Sequence, residues 1–117
     1  MEPKPLPDEY LDQVSQTIKI IGHPQRLRIL EYIDLHGESA VSAIVTGVRG
    51  QQAAVSQHLN KMRLAGIIRA RRDGRQVYYH SPSENALTIL ACLRRKFMEI
   101  APSAHRQRAP CRARPGG

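Results

Sequence analysis

Residues 50–66, Gly-Gln-Gln-Ala-Ala-Val-Ser-Gln-His-Leu-Asn-Lys-Met-Arg-Leu-Ala-Gly, hold side chains suited to reading the edge of a nucleobase. Laid out as a helix, Val55, Leu59 and Met62 follow i, i+4, i+7 and share one stripe. Ala53, Ser56, Gln57, Asn60 and Lys61 project from the other side. This outer face carries no carboxylate, whereas a solvated helix face normally mixes acids and bases. Gln and Asn offer the paired donor and acceptor that match an adenine edge. Ser can contact base or phosphate, and Ala can sit against a thymine methyl. Taken alone, the same residues also fit a plain surface helix.

Other reactive types are scattered. His23 stands before Pro24, His36 before Gly37, His80 at the end of a strand-like run and His105 near the C-terminus; none has a histidine partner at i+3 or i+4, so no metal site is expected. There is no glycine-rich phosphate loop, no paired carboxylates and no nucleophile with a base and an orienting group, so neither an enzyme nor a bound cofactor is expected. Cys92 and Cys111 are expected as thiols, and Cys92, alone on an apolar helix, as a core residue.

Charge supports a polyanionic partner. The 117 residues carry 18 Lys+Arg and 10 Asp+Glu, a net +8. Residues 1–48 hold four bases and seven acids, net −3. Residues 49–75 hold Arg49, Lys61, Arg63, Arg69, Arg71, Arg72 and Arg75 against Asp73 alone, net +6. Positive charge thus gathers around the base-reading stretch, as nucleic-acid binding requires. No long apolar run, export signal or lipidation motif is present; a cytoplasmic location with no membrane partner is expected.

The elements that must position this stretch follow from periodicity and breakers. Residues 1–7, with three prolines, are expected as an extended arm. A first helix starts near Asp8, with Asp8, Glu9 and Asp12 favoured by its dipole; Leu11, Val14, Ile18 and Ile21 form its stripe, extended by Tyr10, and Gly22 ends it. Pro24 opens a second helix that buries Leu27, Ile29, Leu30 and Ile33, leaves Arg26 and Arg28 outside, and stops at Gly37. Ser39–Val48 reads as a short third helix capped by Ser39 or Ser42, with Val41, Ile44, Val45 and Val48 apolar. A tight connection bracketed by Gly47 and Gly50 leads to the 51–65 helix, giving a helix-turn-helix.

After Gly66 the period drops to about 2. Residues 67–72 and 75–80 flank Asp73-Gly74, the signature of a type I′ hairpin with Arg71, Arg72 and Arg75 at its tip. A helix-turn-helix followed by a basic hairpin is a winged helix, whose wing lies beside the phosphate backbone. Ser83 caps a last helix that runs to Ile100, with Leu87, Leu90, Leu93, Phe97 and Ile100 in one stripe. Residues 101–117, with three prolines and four arginines, are expected as a disordered basic tail. The fold class is therefore mainly α with a β-hairpin wing, and residues 8–100 form one domain.

Three stretches in order, His23-Pro24-Gln25-Arg26-Leu27-Arg28-Ile29-Leu30, then Val55-Ser56-Gln57-His58-Leu59 with Leu64-Ala65-Gly66-Ile67-Ile68, then Arg72-Asp73-Gly74-Arg75-Gln76-Val77-Tyr78-Tyr79, resemble the ArsR/SmtB family of small dimeric winged-helix repressors. The resemblance covers roughly residues 8–100. It implies a homodimer that binds double-stranded operator DNA and joins through its first and last helices, by Leu11, Val14, Ile18, Leu87, Leu90, Leu93 and Phe97. The wide apolar stripes of those helices, more than so small a chain easily buries, agree with this. By the same likeness Gln51, Gln52, Ala53, Ser56, Gln57 and Asn60 face bases. Lys61, Arg63, Arg71, Arg72, Arg75 and Gln76 face phosphates, and His58 lies at the groove edge or supports the turn. Leu64 departs from the family pattern and is expected to pack under the wing.

The effector is where this sequence leaves the family. Metal-sensing members place two cysteines in the third helix, where Ala40 and Ser42 stand here, or Asp and His pairs in the last helix, which here offers only Glu84 and Glu99. Thiol-sensing members pair a cysteine of the last helix with one of the second. Cys92 finds no such partner at Glu31, Tyr32 or Ile33, which leaves Cys111 as a possible redox partner. The implied function is a sequence-specific transcriptional repressor released by an effector the residues do not identify; a non-specific nucleoid-associated or RNA-binding basic protein is the alternative.

Overall fold

The structure, a computed structural model, describes residues 3–100. The expected basic tail, with His105 and Cys111, lies outside the described residues. The elements are α1 (Asp8–Ile21), α2 (Pro24–His36), β1 (Ser39–Ala40), α3 (Val41–Val48), α4 (Gln52–Leu64), β2 (Arg69–Asp73), β3 (Gln76–His80) and α5 (Glu84–Ile100).

Helix ends follow local chemistry. The His23 ring accepts a hydrogen bond from the Gln25 N–H at 3.1 Å, capping α2 ahead of Pro24. Ser83 caps α5, its hydroxyl oxygen accepting from the Ala86 N–H at 3.2 Å. At the end of α4 the Gly66 N–H donates to the Arg63 carbonyl (3.0 Å) and the Ile67 N–H to that of Met62 (2.9 Å), a closure that satisfies carbonyls the helix leaves open.

Two expectations are corrected in the sheet. Ser39 and Ala40 do not begin α3: they pair with Tyr79 and Tyr78 as a short strand, so the sheet has three antiparallel strands in the order β1-β3-β2. The Ser39 hydroxyl accordingly donates to the Gly37 carbonyl at 2.8 Å instead of capping α3. The hairpin turn also sits one residue later than expected. Asp73 pairs with Gln76, so the loop is Gly74-Arg75. Gly74 has φ +65° and Arg75 is not in the positive-φ region. A type I′ turn needs positive φ at both positions, and a type II′ turn only at the first, where glycine stands; the observed turn is of the second kind.

The core joins Ile21, the α2 residues Ile29, Leu30 and Ile33, Ile44 and Val48 of α3, Val55, Leu59 and Met62 of α4, Ile67, Ile68, Ala86 and Leu90. Leu27, expected inside, is half-buried against it. Leu64 does not pack under the wing but is 72% exposed. The chain turns at the end of α4 so that Ile67 and Ile68 fill the core where the hairpin begins. An Arg94–Asp34 ion pair at 2.7 Å ties α5 to α2. Among the described residues, no helix is long and apolar enough to cross a membrane.

Close approach of α2 and α3 depends on Gly47. A Cβ there would overlap the Tyr32 ring, which is itself stacked on His36 at a centroid distance of 4.1 Å. Gly47→Val is therefore expected to destabilise the fold by about 1–3 kcal/mol through overpacking. The thermal midpoint should fall by roughly 4–8 °C per kcal/mol, which calorimetry would measure.

Candidate nucleic-acid interface

The reading face rests on α4. Val55, Leu59 and Met62 are fully buried, the stripe their spacing predicts. Their burial fixes the rotation of the helix, so Gln52, Ala53, Ser56, Gln57, Asn60, Lys61 and Arg63 are exposed, as is Gln51 at the N-cap. Gln51 has extended backbone and makes no side-chain cap bond. Among the described residues, the side chains of Gln51, Gln52, Ser56 and Gln57 make no hydrogen bond, which leaves their polar groups open to a partner. Asn60 differs: its Oδ1 accepts from Arg63 Nη2 at 2.7 Å, so half of its amide is engaged.

The turn before α4 closes through Arg49, in the left-handed region at φ 55°, ψ 42°, where glycine is the usual residue. Its N–H donates to the Thr46 carbonyl at 3.2 Å, and the Gly50 N–H to that of Val45 at 3.0 Å. An exposed cation thereby stands beside the start of the reading helix. In the sequence Arg49 stands out only as charge, and its position between Val48 and Gly50 is the one signal for a role in the turn.

His58 lies on the side of α4 that faces α2. Its Nδ1 accepts from Arg26 Nε at 3.0 Å, and its ring lies 4.6 Å from that of His23. Burial, then the charges of His23, Arg26 and Lys61, holds its pKa below the ordinary 6.5. Arg26, assigned to the outer surface from sequence, is half-buried and also donates Nη1 to the Ile20 carbonyl at 3.0 Å.

On the wing, Arg71 is already engaged by a carboxylate of its own chain. Its Nε and Nη2 donate to the two Glu38 oxygens at 2.9 Å each, and the guanidinium lies 5.0 Å from the Tyr78 ring centroid. The hydrogen bond from Arg71 lowers the Glu38 pKa from 4.5, while Glu38 raises that of Arg71. Arg72, Arg75 and Gln76 are exposed at the tip. Of the seven bases in 49–75, only Arg71 has a carboxylate partner among the described residues; elsewhere Arg28, Arg94 and Lys96 are paired, while Lys4, Lys19, Arg26 and Arg95 are not. Uncompensated cations around an acid-free polar helix are the electrostatic signature of a polyanion site.

The residues expected at a dimer face divide between two roles. Leu90 is 6% exposed and belongs to the protomer's own core, with Leu87 half-buried against it. Leu11, Ile18, Leu93 and Phe97 are exposed, together with Tyr10, Met98 and Ile100, and Val14 is half-buried. Cys92, expected in the core, is exposed and accepts from Arg95 Nη2 at 3.5 Å. Among the described residues, no cluster of His, Cys, Asp and Glu could hold a metal ion.

These features define a winged helix-turn-helix protein of the DNA-binding regulator class. The family described as bacterial regulatory protein, arsR family, matches residues 23–70, from the cap of α2 into β2. The chain belongs to this family. It is 36% identical over 95 residues to the nodulation protein NolR of Rhizobium meliloti, covering 80% of this chain and 76% of that protein. Two solved structures share the fold at useful identity. One is the transcriptional repressor PagR of Bacillus anthracis, at 29% identity and TM-score 0.67, with 73% of this chain and 97% of that one covered. The other is the homodimeric winged helix-turn-helix DNA-binding domain Mb0332 of Mycobacterium bovis, at 29% identity and TM-score 0.67, with 83% and 92% covered.

Proposed function

We propose that this chain acts as a homodimer on a specific operator, as a cytoplasmic repressor released by an effector. Gln51, Gln52, Ala53, Ser56 and Gln57 face bases in the major groove, with the free half of the Asn60 amide at their edge. Lys61, Arg63, Arg72, Arg75 and Gln76 face phosphates, and Arg49 joins them at the turn. The observation that carries this reading is the outer face of α4, acid-free and without internal hydrogen bonds at Gln51, Gln52, Ser56 and Gln57, set among cations that lack counter-charges. The dimer pairs the exposed apolar residues Leu11 and Ile18 of α1 and Leu93 and Phe97 of α5, with the half-buried Val14 beside them. Likeness to a homodimeric winged helix-turn-helix domain supports it.

The test is selection of bound duplexes from a random pool at fixed salt. An imperfect palindrome is expected, with half-sites about 10 bp apart or a multiple of it. Gln57→Ala should change the preferred base at one position of each half-site, with about 1–3 kcal/mol of discrimination lost there. Absence of any consensus would instead favour non-specific binding.

A further inference from the structure

Resting on that operator-binding reading, we propose that Arg26 is a positioning residue for the reading helix, and that it acts through a neutral His58, so that sequence discrimination depends on the protonation of His58. Arg26 joins three helices. It arises from α2, donates Nη1 to the Ile20 carbonyl in the last turn of α1, and donates Nε to His58 Nδ1 on α4, each at 3.0 Å. The α1 carbonyl belongs to a helix end with no intrahelical donor left for it, and a cation is favoured there. The bond to α4 is the one that matters for recognition. His58 adjoins Gln57, lies one turn after Ala54 and two turns after Gln51, and stands just under a turn before Lys61. A shift of α4 against α2 therefore displaces every proposed base contact together.

An arginine Nε–H only donates, so His58 Nδ1 must be a bare lone pair and the ring proton must sit on Nε2. Protonating Nδ1 removes the acceptor and sets an imidazolium against a guanidinium. The charges around His58 are those of His23 and Arg26 from α2 and Lys61 from α4, all of one sign and none a carboxylate. His58 therefore stays neutral below the ordinary histidine value of 6.5, and the Arg26 bond breaks only as the pH falls through its lowered value. A charged His58 does not weaken attraction to phosphate in general. What acid removes is the fixed register of the reading face, so binding to random DNA persists while binding to the operator falls.

The experiment measures the ratio of affinities for a duplex of about 30 bp selected at about pH 8 and a scrambled duplex of equal length, at constant ionic strength, from about pH 8 to about pH 5.5. Circular dichroism at each pH confirms that the helices are intact. The wild-type ratio should fall by about tenfold or more, the size of one lost base contact per half-site. His58→Asn keeps an acceptor in the Nδ1 position but cannot titrate, so its ratio should stay flat with pH. Arg26→Lys keeps the charge but cannot span both acceptors, so its ratio should be low throughout. A wild-type ratio unchanged across the range, or one that falls equally in His58→Asn, overturns the proposal and leaves the operator-binding reading standing. Failure to select any consensus at about pH 8 overturns that reading itself, and the positioning role with it.

Discussion

Leu93→Glu combined with Phe97→Glu is expected to convert the protein to a monomer at micromolar concentration and to weaken operator binding a hundred-fold or more. Leu93 and Phe97 remain 47% and 43% exposed in a single chain, so about half of each side chain is left to bury against a partner. Full burial of such residues is worth about 1.5–3 kcal/mol each. Two-fold symmetry brings four of them together, which at half exposure gives roughly 3–6 kcal/mol, or two to four orders of magnitude in the dimer constant. The introduced carboxylates would in addition have to be desolvated. A dimer that persists in sedimentation, with operator affinity unchanged, would show that the protomers meet elsewhere. Leu90→Glu is a different experiment. Leu90 lies in the protomer core, so that substitution should abolish folding and not merely dimerisation.

Removing both wing-tip cations should alter salt dependence more than any other surface change. In a dimer, Arg72→Ala with Arg75→Ala removes four proposed phosphate contacts, and each contributes about −0.9 to the log–log slope of affinity against salt. The slope should therefore become shallower by roughly 3.6, equally for operator and random duplexes, in a fluorescence titration across salt concentrations. Arg71→Ala should leave the slope nearly unchanged, because its guanidinium is already held by Glu38 at 2.9 Å through both Nε and Nη2. It should instead loosen the tie between the wing and the α2–β1 loop. A slope shallower by roughly 1.8 in Arg71→Ala, the share of two contacts per dimer, would mean that the Glu38 pair does not withhold Arg71 from DNA.

Much of this geometry is legible from sequence where it depends on local periodicity. Val55, Leu59 and Met62 alone orient α4, and with it the polar face. Pro24, Ser83 and Gly66 mark helix ends through short-range chemistry. What escaped the sequence depends on partners far along the chain. The Ser39–Ala40 strand exists because β3 offers it a free edge; nothing in two residues announces pairing with Tyr78 and Tyr79. Arg71 and Glu38 lie 33 positions apart, and Arg26 and His58 lie 32 apart. A charge census cannot show that one wing arginine is neutralised, or that a histidine of the reading helix turns inward to accept a hydrogen bond. The α5 stripe raises a related problem. Leu90 and Leu93 are equivalent by period, yet only Leu90 is covered by the chain's own core. The hairpin turn moved by one residue because a type II′ turn needs a single positive φ, which Gly74 supplies, and so spares Asp73 a strained conformation.

The central claim is that two α4 faces enter successive major grooves while the wings flank them on the backbone. Methylation interference with hydroxyl-radical footprinting on the selected duplex tests it most directly. The account predicts two clusters of major-groove interference about 10 bp apart, or a multiple of it, on one face of the duplex, with backbone protection extending outward from each. It also predicts that the outer protection disappears in the Arg72→Ala, Arg75→Ala variant while the inner interference remains. Uniform protection with no interference in the major groove would contradict it.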